Sequence, residues 1–202
     1  MSRVYPVIHA QTADQVSRNI DVAREAGVDG VFLINHEIGI TDLHTIFMQM
    51  RARFVDTWIG LNYLGAPEHA LSAMTLQANG LWMDNLPTQR LDLGCPVLGG
   101  VAFKYQHTGL SLEAEVQHAS PLVDVLCTSG PATGAAADVS KVARLRELAP
   151  DREIGLASGL TPENVREYTP FVDWLLVATG VGSDFYNLDP AKLASFVEAA
   201  RS

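Results

Sequence analysis

Lysine is almost missing from this sequence. Lys104, Lys141 and Lys192 are the only three in 202 residues, and lysine and arginine together number 14 against 23 aspartates and glutamates, a net charge of −9. Proteins that hold nucleic acid without regard to sequence neutralise its phosphates with lysine and arginine, so this charge balance argues against that class. Cysteine is scarce too: Cys95 and Cys127 show neither a CxxC pair nor any other ligand spacing. That points to reduced thiols in a cytoplasmic protein rather than a disulfide framework. No stretch approaches the roughly 20 apolar residues of a membrane span. The N-terminus turns polar by Gln11 and reads as no signal peptide. HExxH and other compact ligand sets are missing, so no metal is expected, and Mg²⁺ only through a bound phosphate. Charged residues make up 18% and hydrophobic ones 48%, the balance of a chain that buries a full core. The expectation is one domain over residues 1–202.

Within that domain, short apolar runs alternate with longer amphipathic stretches. The runs cover residues 4–10, 30–36, 58–64, 80–86, 97–105, 123–128, 154–158 and 172–179, rich in Val, Ile, Leu and Phe with little strict alternation. Strands covered on both faces read this way. Helical patterns fall at 12–27, 41–54, 66–78, 111–119, 138–148 and 161–168, and 189–200 closes the chain.

The chain also repeats. Helix starts of one kind occur at Thr12-Ala13-Asp14, Ala66-Pro67-Glu68, Ser111-Leu112-Glu113 and Thr161-Pro162-Glu163, 54, 45 and 50 positions apart. Each puts an acid in the first turn, and three open on a hydroxyl. A second signature, Asp29-Gly30-Val31, Asn79-Gly80-Leu81, Asp124-Val125-Leu126 and Asp173-Trp174-Leu175, steps by 50, 45 and 49. Both series advance by one βαβα unit, four times, which makes eight strands. A doubly wound open sheet is the rival, but it rarely has eight strands, and the first βα turn, His9-Ala10-Gln11-Thr12, lacks the dinucleotide glycine fingerprint. The fold expected is a compact (β/α)₈ barrel of the TIM type.

In such a barrel, reactive groups gather where strands end. Those ends read His9, Asn35, Asn62, Asp84, Lys104, Thr128, Ser158 and Thr179. Ser158-Gly159-Leu160-Thr161 runs through a glycine into a Thr-capped helix, and Thr179-Gly180 follows the last strand. Bare amides at loops seven and eight suit phosphate without needing lysine or arginine. Ser158, Gly159, Thr179 and Gly180 are therefore the expected phosphate site. His9, Asn35, Asn62 and Thr128 are expected to orient a substrate. Lys104 and Asp84 are expected to do acid–base or electrostatic work. For Lys104 a strand-end lysine reaching solvent is an equal reading, and for Asp84 an ion pair with Lys104 is a competing one. His36 is expected to point away from the mouth.

The stretches Thr128-Ser129-Gly130-Pro131-Ala132-Thr133-Gly134, Ser158-Gly159-Leu160-Thr161-Pro162-Glu163-Asn164-Val165, Ala178-Thr179-Gly180 and Asn187-Leu188-Asp189-Pro190 resemble the BtpA family, phosphate-binding-type barrels named for a photosystem I biogenesis factor. Weaker echoes run through residues 25–31, 60–64 and the strand bearing Lys104. The loop after strand one is short here, and Val181-Gly182-Ser183-Asp184-Phe185-Tyr186 replaces the family's Lys-Asp-Gly stretch. The resemblance implies a barrel, a phosphate-type site and phosphoribosyl chemistry. The expected activity is isomerisation or phosphoribosyl transfer on a small phosphorylated metabolite, a phosphoribosyl or sugar-phosphate compound. The alternative is a non-catalytic assembly or regulatory factor. A homo-oligomer is expected, with Phe47 and Phe185 as exposed apolar surface to cover.

Overall fold

The computed structural model describes residues 1–64, 69, 72, 76–106 and 108–202. Eight parallel strands close into one barrel in sequence order. They are β1 (Arg3–His9), β2 (Val31–Ile34), β3 (Ile59–Asn62), β4 (Leu81–Met83), β5 (Val97–Gly100), β6 (Val125–Ser129), β7 (Glu153–Ala157) and β8 (Trp174–Val177). The seam is β1 against β8, Arg3 opposite Trp174 through Pro6 opposite Val177. Outside lie α1 (Ala13–Glu25), α2 (Ile40–Arg53), α3 (Leu112–Ala119), α4 (Val139–Leu148), α5 (Val165–Tyr168) and α6 (Pro190–Arg201). The helix expected over 66–78, its start at Ala66-Pro67-Glu68, and His107 lie largely or wholly outside the described residues.

The repeated signature before alternate strands is a clasp. Asp29 Oδ2 accepts the Val4 N–H (2.8 Å), Asn79 Oδ1 that of Ile59 (2.9 Å), Asp124 Oδ2 that of Val97 (2.9 Å) and Asp173 Oδ2 that of Ile154 (2.9 Å). The same four residues donate their own N–H to the carbonyls of Val4, Ile59, Val97 and Ile154. Each clasp also holds an arginine: Arg201 on Asp29 (3.3 Å), Arg51 on Asn79 (2.9 Å), Arg90 on Asp124 (2.5 Å) and Arg146 on Asp173 (2.5 Å). Strand N-termini that would otherwise leave amides unpaired are thereby satisfied around the bottom of the barrel.

The bottom interior is aromatic. Tyr5 stacks on Trp174 at 4.6 Å, and Trp58 and Phe32 meet Tyr5 at tilted or edge geometry, 4.9 and 5.9 Å. Residues alternating with these, such as Val4, Ile8, Leu33 and Leu126, face the helices.

Several boundaries differ from expectation. β5 stops at Gly100 instead of running to Tyr105, because Ala102 and Tyr105 take left-handed φ values of 45° and 64° that a strand does not allow. Lys104 therefore sits in a turn beyond the strand. Thr161 caps no helix. Its N–H donates to Asn164 Oδ1 (2.8 Å), Asn164 Nδ2 donates to the Gly159 carbonyl (2.9 Å), and α5 begins only after that turn. Phe47 is fully buried under α2, its neighbour Met48 being 51% exposed, so only Phe185 of the two expected apolar surface residues is exposed. Among the described residues no helix is long and apolar enough to cross a membrane.

Candidate functional site

A cleft of about 500 Å³, counting its open mouth, occupies the C-terminal end of the barrel. Its walls include Ser158, Gly159, Thr179 and Gly180 together with Thr133 and Gly134 of the β6 loop. The three loops touch. A Cβ on Gly159 would lie 2.2 Å from Ala136 N, one on Gly180 1.8 Å from the Leu160 carbonyl oxygen, and one on Gly134 3.7 Å from Thr179 Oγ1. Only glycine allows that approach at 159 and 180, and Gly159 also has a φ of 65°. Ser158 shares the left-handed region at 71°, a conformation that costs a serine energy and is concentrated at binding sites. Among the described residues, no acceptor in the chain takes the N–H of Gly159 or Gly180. Thr179–Val181 forms a short 3₁₀ turn, whose leading amides lack intrahelical partners.

His9 ends β1, 6% exposed. Its Nδ1 lies 2.7 Å from the Phe185 carbonyl oxygen, and its ring stacks on the Phe185 ring at 3.9 Å. A carbonyl only accepts, so Nδ1 carries the proton and Nε2 keeps the lone pair. Burial pulls the His9 pKa down to about 4; the Phe185 carbonyl opposes this, while His36 and Lys104 add to it. The ring is neutral at physiological pH. The loop carrying Phe185 is held by buried amides of α1. Gln15 and Asn19 donate to the Tyr186 carbonyl (2.6 and 2.8 Å), and Asn19 Oδ1 accepts the Leu188 N–H (2.7 Å).

Lys104 lines the cleft. Its N–H donates to Ser129 Oγ (2.7 Å) and its Nζ to Thr133 Oγ1 (3.3 Å). The turn that carries it is tied from outside. The Glu115 carboxylate accepts the Ala102 N–H and the Thr108 hydroxyl. The Lys141 ammonium donates to the carbonyls of Ala102 (2.6 Å) and Ser129 (2.8 Å), and burial lowers its pKa. Asp84, half-buried beside Asn62, has its carboxyl pKa raised by burial, against opposing effects of Lys104, Asn62 and His36. No ion pair joins Asp84 to Lys104 within 4.0 Å.

The structure thus brings His9, Lys104, Ser158, Gly159, Thr179 and Gly180 to one cleft. Asn35, Asn62, Thr128 and the expected catalytic Asp84 are not among its walls. The two-residue period of a strand explains Thr128. Cys127 belongs to the interior cluster and Leu126 to the outer one, so Thr128 faces the helices, fully buried, its Oγ1 without a partner. Asn35 turns its amide to the Ile38 carbonyl (3.3 Å). Asn62 points inward but is fully buried, its Oδ1 taken by the Leu64 N–H and its Nδ2 3.5 Å from Asp84 Oδ1. The same period overturns the orientation expected of His36. It follows the inward Ile34 by two, lines the cleft, and meets the His9 ring at 4.8 Å. Thr133 was legible only as part of a small-residue loop, and Lys141 as a helix lysine; neither carried a spacing signal of its own.

No family model matches the chain, and no curated protein matches it in sequence. Solved structures do match in shape. A phosphoribosylanthranilate isomerase from Thermotoga maritima shares 18% identity over all of both chains at a TM-score of 0.70. A phosphoribosylanthranilate isomerase in complex with reduced 1-(o-carboxyphenylamino)-1-deoxyribulose 5-phosphate shares 17% over 100% of this chain and 99% of its own, at 0.69. A 4-hydroxy-2-oxoglutarate/2-dehydro-3-deoxyphosphogluconate aldolase from TTHB1 shares 19% over 98% and 92%, at 0.70. The chain shares the closed (β/α)₈ barrel architecture of these proteins. Identity at this level carries the fold and no further.

Proposed function

We propose that this barrel binds a small phosphorylated metabolite, a phosphoribosyl or sugar-phosphate compound, and isomerises it or transfers its phosphoribosyl group. One observation carries the reading. Three loops converge on uncommitted glycine amides at the end of the barrel where a Cβ would not fit, the geometry an anion needs in place of a cluster of cations. Ser158, Gly159, Thr179 and Gly180 hold the phosphate. Beside it, the neutral His9 offers Nε2 as a proton or hydrogen-bond acceptor. Lys104 supplies positive charge, and Asp84, outside the cleft walls beside Asn62 with its pKa raised by burial, is the candidate proton donor. The sugar-phosphate ligands and substrates in the names of the fold's neighbours favour the same class.

The finer resemblance, to the BtpA family, belongs here as a reading of kinship. Its most specific stretches supply the β6, β7 and β8 loops that meet at the cleft. A non-catalytic BtpA-like factor would bind the same anion and turn nothing over. The absence of Asn35, Asn62, Thr128 and Asp84 from the cleft walls favours that second reading, since it leaves fewer groups to orient or protonate a sugar.

Thermal-shift measurements with ribose 5-phosphate and other phosphorylated sugars test binding. The expected result is a raised melting temperature that Ser158→Asp abolishes, because a carboxylate there repels the phosphate. No shift with any phosphorylated sugar would count against both readings. Where a sugar phosphate binds and is converted, Asp84→Asn should stop turnover while leaving the shift in place. Binding with no conversion of any compound that binds supports the non-catalytic reading.

A further inference from the structure

Lys104 is the only charged side chain among the described residues that line the cleft. Among the described residues no carboxylate lines the cleft with it or pairs with it directly. His9 on β1 is neutral at physiological pH, and burial likewise biases His36, after β2, toward its neutral form. Asp84, after β4, lies beyond ion-pair distance, and Tyr105 in the same turn uses its hydroxyl to accept the Thr133 N–H at 3.3 Å. The ammonium instead donates to Thr133 Oγ1, one residue from Gly134, which packs toward Thr179 in the proposed phosphate site. The Thr133 hydroxyl accepts from Lys104 and turns its own proton toward the Tyr105 hydroxyl oxygen. Two N–H bonds of the ammonium are uncommitted. The lysine therefore presents donors only, on the side of the cleft where the glycine loops already present amides.

We infer that Lys104, positioned by Thr133, is the counter-charge of the bound phosphate and makes the site selective for a doubly charged phosphate monoester over singly charged anions. The inference rests on the phosphate reading above and deepens it. Bare amides hold any oxyanion; a single ammonium, in a chain of net charge −9, adds attraction in proportion to ligand charge. A phosphomonoester carries about −1.5 to −2 at pH 7, and a diester carries a single negative charge. In this assignment Lys104 contacts the ligand's phosphate instead of serving as an acid. Its turn is held in place by Lys141 and Glu115 from the helix side.

The test is titration calorimetry at pH 7.5 with inorganic phosphate, and dimethyl phosphate as the singly charged control. The proteins are the wild type and Lys104→Met, Lys104→Gln, Lys104→Arg, Thr133→Val and Ser158→Asp. Lys104→Met and Lys104→Gln should lower affinity for inorganic phosphate roughly tenfold or more and narrow the preference over dimethyl phosphate. Lys104→Arg should restore most of both. Thr133→Val should weaken phosphate less than removal of the ammonium, and have little added effect when combined with Lys104→Met. Wild-type affinity in Lys104→Met, with binding still abolished in Ser158→Asp, would overturn the role of Lys104 while sparing the phosphate site. No binding of inorganic phosphate by the wild type would overturn both.

Discussion

His9 shows what burial does to a single titratable residue. Its folded pKa of about 4 lies below the ordinary 6.5, so between those values the unfolded chain binds more protons than the folded one. Stability from His9 is therefore complete above about pH 6.5 and is lost as pH falls toward 4, by at most about 3 kcal/mol. Asp84 works in the opposite direction: its raised pKa means that the fold favours its protonated form, so it loses stability as pH rises through the carboxylate range. In denaturant unfolding at a series of pH values, His9→Gln should flatten the loss of stability between pH 6.5 and 4. An unchanged slope would show that the imidazole is not held neutral. Asp84→Asn should steepen that loss, because it removes the opposing carboxyl. Chain position alone revealed that His9 stands at the mouth. Its partnership with Phe185, 176 residues away, depends on how the last loop folds back, and no local pattern announces that.

At the scale of elements, the fourfold βαβα repeat is legible in the sequence itself, and the clasps explain why. One acceptor must stand at the start of each even strand to satisfy the amide of its odd neighbour, so the chain returns to Asp or Asn at that place four times. Removing the acceptor leaves a strand amide unpaired, at a cost of about 1–3 kcal/mol. Asp124→Ala or Asp173→Ala should lower the melting temperature by roughly 2–12 °C, from 2–4 °C per kcal/mol in a domain this size. Asp124→Asn and Asp173→Asn should lower it less, since Asn79 already fills the same role with an amide oxygen. Equal losses for Ala and Asn would mean that the arginine contact, rather than the amide, is what matters. The boundaries were less legible. Apolarity continues from Val101 through Phe103 while the backbone has already turned left-handed at Ala102, so hydrophobic pattern alone overran β5. The inward and outward assignment of Asn35, His36 and Thr128 failed for a related reason. A shift of one residue in where a strand ends exchanges its two faces.

Over the whole molecule, the two ends of the barrel divide the work. The clasps and the aromatic layer sit at the N-terminal ends of the strands, and the glycine loops, His9, Lys104 and Asp84 at or beyond the C-terminal ends. A change at one end should therefore register in stability and leave the other end's chemistry untouched. Trp174 gives the sharpest case. It is 1% exposed, stacks on Tyr5, contacts Trp58 at 5.9 Å, carries Arg3 at 4.2 Å over its ring, and donates its indole N–H to Glu153 at 2.9 Å. It also belongs to the β1–β8 seam, which joins residues about 171 positions apart and closes the barrel. Trp174→Leu keeps an apolar side chain but removes most of the ring and its hydrogen bond. A loss of about 3–5 kcal/mol is expected, with a melting temperature lower by roughly 6–20 °C. Because all eight strands form one closed sheet, unfolding should remain a single calorimetric transition. Affinity for inorganic phosphate, measured below that transition, should match the wild type. Two transitions would show that the repeated quarters of the barrel unfold separately, and a weakened anion site in a folded Trp174→Leu protein would show that the two ends are coupled through the interior.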